Sequence, residues 1–217
     1  VLRQSITKNS LILGGFAVLT AAILAFTFGA TAEKISEQEK QAAQKALFEI
    51  IPQSQHDNNM LDDVYTLNEA QAKRLSLPTG TAIHLAYKDN APVAAIIPSV
   101  TPQGYSGDIK LLVGVNIDGS IAGVRVLSHK ETPGLGDKID LNKSDWVLSF
   151  NGTSLNNPAQ DAWTVKKEGG AFDQFTGATI TPRAVVNQVE DTLVFFNQYK
   201  DSLFTTNLAT NTGNAIP

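Results

Sequence analysis

Ile109-Lys110-Leu111-Leu112-Val113-Gly114-Val115-Asn116-Ile117 and Ile121-Ala122-Gly123-Val124-Arg125-Val126-Leu127 are separated only by Asp118-Gly119-Ser120. Both runs are dense in aliphatic and β-branched residues, the composition of strands. An Asp-Gly pair between them is a strong hairpin signal, because glycine supplies the positive φ that a tight turn needs. The same grammar occurs upstream. Thr81 to Lys88 alternates, with Ile83, Leu85 and Tyr87 on one side, and Pro92 to Val100 is a denser apolar run. Asp89-Asn90 between them reads as a hairpin turn, and Gly104 to Gly107 as a further loop. Four strands with local connections predict an antiparallel sheet, with helices on one face, so the fold class is α+β.

Working outward, the first segment is of a different kind. No charged residue occurs from Asn9 to Ala32, and about 20 apolar residues suffice to cross a bilayer as a helix. Arg3 and Lys8 precede the run, while Glu33 and Lys34 are the first charges after it. The positive-inside rule then puts residues 1–8 in the cytoplasm, 9–32 in the membrane and the rest outside. A cleaved signal peptide is the competing reading, with Gly29-Ala30-Thr31-Ala32 as the cleavage region, but its apolar core would be shorter. Residues 33–52 read as an amphipathic connecting helix, with Ile35, Ala42, Ala43, Ala46, Leu47, Ile50 and Ile51 on one face and Pro52 at its end. Residues 53–80 are polar, residues 53–204 make up the folded domain, and the uncharged polar stretch 205–217 reads as a flexible tail.

Composition narrows the chemistry. The 217-residue chain carries a net charge of -4, which gives no electrostatic support to a nucleic-acid partner. It has no cysteine, so disulfides, thiolate metal sites and cysteine-ligated iron–sulfur clusters are excluded within it. Redox chemistry would have to come from an organic cofactor or from a metal on other ligands. His56 and His84 are too scattered for metal-ligand spacing, and no metal site is expected. Trp146 and Trp163 read as core residues.

Two loops carry functional signals. Asp173-Gln174-Phe175-Thr176-Gly177-Ala178-Thr179 runs into Ile180-Thr181-Pro182-Arg183. Gly177 and Ala178 permit close approach to the backbone, and the hydroxyls of Thr176 and Thr179 flank them. Thr181 as N-cap and Pro182 as first helical residue start a helix whose apolar pattern is Ala184, Val185, Val189, Leu193, Phe196 and Tyr199. A hydroxyl-bearing loop at a helix N-terminus suits a phosphate group. Earlier comes Ser128-His129-Lys130-Glu131-Thr132-Pro133-Gly134-Leu135-Gly136-Asp137-Lys138-Ile139, where Pro133-Gly134 makes a turn. A side chain on that glycine-lined loop, Leu135 above all, can lie against a planar ring. Read without the rest of the chain, both loops are equally consistent with plain turns leading into helices.

The order D-x-x-[ST]-G-A-T resembles the site at which flavin transferases attach FMN to threonine through a phosphoester. Preceded by E-T-P-G-L-G-x-x-I, a D-G hairpin and a membrane anchor, it resembles the G subunit of the Rnf electron-transport complex, called Rsx in some bacteria. The likeness extends over nearly the whole chain. The C subunit of the sodium-translocating NADH:quinone reductase shares both motifs and is the nearest alternative. A flavin-free, membrane-anchored periplasmic assembly or sensing domain is the alternative of another class.

The resemblance implies a periplasmic FMN-binding domain with an antiparallel sheet and flanking helices, anchored in the bacterial inner membrane by one helix. It implies covalent FMN on Thr179, placed there by a separate flavin transferase, with Thr176, Gly177 and Ala178 forming the attachment loop. Asp173 is then read by that enzyme, or serves as a capping or turn residue. Thr132 and Leu135 are the expected ring contacts, with Gly134 and Gly136 shaping their loop. Glu131 hydrogen-bonds either the ring or the loop's own amides. His129 and Lys130 are either tuners of the flavin or solvated surface residues. The implied role is electron relay between neighbouring Rnf or Rsx membrane subunits, with no catalytic residue of its own.

Overall fold

A computed structural model describes residues 2–211, with side-chain surroundings given for 6–205. Two compact units divide between Ala42 and Ala43. The first lies within helix α1, Leu2–Ile50, so the apolar run and the amphipathic segment form one uninterrupted helix. Its stretch of mean hydropathy 2.3 is long and apolar enough to cross a membrane. The hydroxyls of Thr20, Thr27 and Thr31 donate to the carbonyls of Phe16, Ile23 and Thr27, so these polar groups are satisfied within the helix.

Among the described residues, the second unit is built on a five-stranded antiparallel sheet in sequence order: β1 Val64–Thr66, β2 Ala82–Lys88, β3 Ala91–Gly104, β4 Gly107–Asn116 and β5 Ile121–Ser128. Strands β2 to β5 are those expected, with β3 longer by several residues. Strand β1 and the short helix α2, Glu69–Arg74, lie in the stretch 53–80, which the sequence marks only as polar. The β2–β3 turn has φ of 51° at Asp89 and 62° at Asn90, the two positive values of a type I′ hairpin. At Asp118-Gly119 only Gly119 is left-handed (φ 88°) and its N–H returns to the Asn116 carbonyl, so this hairpin turns through a type I turn and a glycine bulge.

Helices on a single face were expected; both faces are covered. Ile83, Leu85, Tyr87, Ala95, Ile97, Ile109, Leu111, Val113 and Val115 point to one core, which also takes Val185, Val189, Leu193 and Phe196 of helix α3, Ile180–Asn211. The opposite face, with Ala86, Ala94, Ile96 and Leu112, packs against Ala46, Leu47, Ile50 and Ile51 at the end of α1. This is why the run Pro92–Val100 is dense rather than alternating, since residues of both parities are buried. The close approach of the α1 end depends on a paired Gly114 and Gly123, because a Cβ on Gly114 would stand 2.2 Å from Ile50 Cγ2. The face predicted over 33–51 is buried only in its last two turns; Ile35 and Ala42 are exposed. At the far end, α3 runs on to Asn211, past the expected start of a flexible tail at 205. No glycine or proline interrupts the sequence before Gly213, so helix propagation continues through the polar stretch. The rest of that expected tail, 212–217, lies outside the described residues.

Candidate functional site

The two sequence motifs meet at the N-terminal end of α3. Between them opens a cavity of about 360 Å³ lined by Glu131, Thr132, Leu135, Gly136, Gly177, Ala178, Thr179, Ile180, Thr181 and Tyr105. That is within the usual range of small-molecule sites, about 300–1,000 Å³.

The first wall is wound around one carbonyl. The Thr132 carbonyl accepts the N–H groups of Leu135 and Gly136, both at 3.1 Å, and Gly134 supplies the left-handed residue (φ 78°). The buried Asp137 carboxylate accepts the Gly134 N–H at 2.8 Å and braces the turn. Leu135, held by neither core, remains 42% exposed at the cavity. The chain then enters a short 3₁₀ turn, Gly136–Ile139, where a Cβ on Gly136 would lie within 2.9 Å of both the Thr181 hydroxyl and the Glu131 carboxylate.

The second wall is the loop 173–179. Ala178 N–H donates to the Phe175 carbonyl, and Gly177 sits at the third position of this turn with φ 82°, a value type II turns reserve for glycine. The loop is anchored from behind by Trp146, whose indole N–H donates to the Asp173 carbonyl at 2.7 Å and whose ring meets Phe175 edge to face. Both tryptophans are buried in the core.

Helix α3 begins at Ile180, so Thr179 rather than Thr181 occupies the N-cap position, and the Thr179 carbonyl accepts the Arg183 N–H. Pro182 falls inside the first turn, where its missing N–H would have had no helical partner. The three threonines are thereby distinguished. Thr176 is exposed and off the cavity wall. Thr181 is fully buried and donates its hydroxyl to Glu131. Thr179 is half-buried on the cavity wall, and its hydroxyl has no hydrogen-bond partner among the described residues.

Glu131 is only 4% exposed, yet no cation pairs with it among the described residues. One carboxylate oxygen accepts the Ser106 N–H at 2.9 Å and the other accepts Thr181. Its own N–H donates to His129 Nδ1. Of the other sequence candidates, Gly134, Asp173 and Thr176 lie outside the lining; Asp173 is exposed and ion-paired with Lys166. His129 and Lys130 are also off the wall. Reading the sequence missed Tyr105, Ile180 and the inward role of Thr181. An aromatic between two glycines, Gly104-Tyr105-Ser106-Gly107, was the available signal for Tyr105.

Two stretches of the chain match known families. An FMN-binding domain family matches residues 104–194, and the RnfG N-terminal region matches residues 2–50. Relatives named as the G subunit of an ion-translocating oxidoreductase complex include one from Shewanella amazonensis, 44% identical over 98% of each chain. One from Pseudoalteromonas atlantica is 47% identical over 94% of each chain. One from Vibrio cholerae is 46% identical over 92% of this chain and 94% of its own. The chain belongs to the G-subunit family of ion-translocating oxidoreductase complexes. Its membership favours the Rnf-type complex over the sodium-translocating quinone reductase, and the cavity falls within the stretch matched as FMN-binding.

The residues present fit a flavin phosphate. A Cβ on Gly136 would crowd the lining residues Thr181 and Glu131, Thr179 lines the cavity with a hydroxyl that has no partner among the described residues, and the first-turn N–H groups of Ile180 and Thr181 provide the positive end of a long helix.

Proposed function

We propose that this chain is the covalent-FMN electron carrier of an Rnf-type complex, with the flavin esterified to Thr179. The observation that carries the residue assignment is Thr179 on the cavity wall, its hydroxyl without a partner among the described residues, beside two threonines that are either outside the cavity or already engaged. In maturation by a flavin transferase, the Thr179 hydroxyl gives up its proton and attacks the FMN-side phosphorus of FAD. A phosphoester forms at Oγ1, the pyrophosphate bond breaks, and AMP leaves. The α3 N-terminus would stabilise the phosphate charge through its first-turn amides and dipole. Gly177 keeps the loop thin enough for the transferase to reach the hydroxyl.

FMN held there would supply the one-electron chemistry that no side chain of this cysteine-free chain provides. Thr132, Leu135 and Gly136 form the wall against which the ring would lie, and Glu131 orders that wall through its bonds to Ser106 and Thr181. The tether removes the dissociation equilibrium that would drain cofactor from a periplasmic domain. By the charges around α1, the N-terminus is cytoplasmic and the second unit periplasmic, on an inner-membrane anchor. Its electron donors and acceptors would be neighbouring subunits of the complex.

Intact mass of the protein co-expressed with its transferase tests the assignment, with Thr179→Ala alongside. The expected result is a phosphoester-linked FMN increment that survives denaturation in the parent and is absent from the variant. An increment that persists in Thr179→Ala would move the attachment to another threonine. Its absence from both, with a transferase active on another substrate, would remove the flavin reading. Cysteine-accessibility labelling on either side of α1 tests the orientation.

A further inference from the structure

We propose that Tyr105 is the cover of the flavin site and that Glu131 is the positioning residue that holds it there. This rests on the flavin reading above. Tyr105 is 69% exposed at a two-residue hairpin tip, yet lines the cavity with Leu135 and Ile180. It has no ring contact or hydrogen bond among the described residues. A large aromatic kept in water beside a cavity, with no role in the core, is an available stacking surface.

The tip that carries it is fixed. Gly104 pairs with Gly107 across the hairpin, and the Ser106 N–H between them is held by Glu131. A Cβ on Gly104 would stand 2.3 Å from the Gly107 carbonyl oxygen and 2.9 Å from the Glu131 carboxylate, so glycine is what lets the tip reach the carboxylate. The other oxygen of Glu131 takes the hydroxyl of Thr181, two residues beyond Thr179. One buried side chain therefore sets the spacing between the hairpin tip with Tyr105 and the helix start with the attachment hydroxyl. Each of its oxygens accepts from one of these two donors, so the side chain ties the two elements together. An electron-rich phenol ring placed against an oxidised flavin ring would shield one face from water and quench its emission.

The test uses the full chain in detergent, loaded by its transferase, with flavin content fixed by intact mass. Emission per attached flavin and iodide quenching are compared for the parent, Tyr105→Ala, Tyr105→Trp and Glu131→Gln. Stacking of an aromatic on a heterocycle biases the covered arrangement by about five-fold or more. Tyr105→Ala should therefore emit several-fold more strongly and be more accessible to iodide, Tyr105→Trp should restore the quench, and Glu131→Gln should fall between. Emission and iodide accessibility in Tyr105→Ala equal to the parent, at measured flavin content, would overturn the inference alone. A parent with no mass increment would overturn the flavin reading and this inference with it.

Discussion

Thr181 and Glu131, fifty positions apart in sequence, share a hydrogen bond in the interior of the domain, hydroxyl to carboxylate. It joins the first turn of α3 to the loop that leaves β5. Removing the donor while keeping the shape, Thr181→Val, leaves a buried carboxylate oxygen without its partner, which costs about 1–3 kcal/mol. At about 2–4 °C per kcal/mol for a domain of this size, the melting midpoint should fall by several degrees. Thr181→Ser keeps the donor and should melt close to the parent. Equal midpoints for the valine variant and the parent would show that the bond stabilises nothing.

Gly114 and Ile50 give a second prediction. A methyl group on Gly114 must displace Ile50 Cγ2, and overpacking of this kind costs about 1–3 kcal/mol. Gly114→Ala should lower the midpoint, and Ile50→Ala in the same chain should recover part of the loss, because it empties the space the methyl needs. A double-mutant cycle measures the coupling. Strictly additive losses would mean that the end of α1 is not seated in this notch.

Much of the frame was legible because its signals are local. Strand β2 alternates, β4 and β5 flank a glycine turn, and the motif residues announce their loops. Coverage of both sheet faces was not read, although Pro92–Val100 carried the sign in its continuous apolarity. Helix α2 was missed despite Asn68 and Gln71 standing at capping-box spacing, and the structure contains both reciprocal bonds. Strand β1 has only three residues, too few for a periodic signal, and its order comes from pairing with β2. Glu131 was singled out but its partners were not, since Ser106 and Thr181 lie far along the chain and only tertiary folding brings them together. The N-cap moved from Thr181 to Thr179 for the same reason, because Thr181's hydroxyl is drawn inward.

His84 gives the fold a pH dependence. It lies on β2, paired with β1 and β3, and its Nδ1 donates to the Met60 carbonyl at 2.8 Å. Burial holds its pKa below the ordinary value of 6.5, and the bond to Met60 only partly opposes this. With the folded pKa lowered, the unfolded chain binds the proton more tightly. Stability is therefore complete above 6.5 and declines as pH falls below it toward the folded pKa. Glu190 acts in the opposite sense in more acidic solution, since burial first and Asp191 second raise its pKa above 4.5. Melting between pH 7.5 and 5.5 should show a downward slope that His84→Gln flattens. A slope unchanged by the substitution would assign the effect elsewhere.

Trp146 stands outside the cavity lining but controls the loop that carries Thr179. Its indole N–H fixes the Asp173 carbonyl, and its ring packs edge to face on Phe175 at 5.2 Å, so the loop is held at both its first and third residues. Trp146→Phe keeps an aromatic ring and removes the donor. A neutral hydrogen bond is worth about 1 kcal/mol, roughly five-fold in the fraction of loops held ready. Flavin attachment followed by mass over time should slow by about that factor while reaching the same final load. Lys166→Ala removes only an exposed ion pair to the Asp173 side chain, worth little in water, and should leave the rate nearly unchanged. The reverse ranking, a slow lysine variant and a normal tryptophan variant, would mean that the transferase reads the charged surface of the loop and that its backbone anchor is irrelevant to attachment.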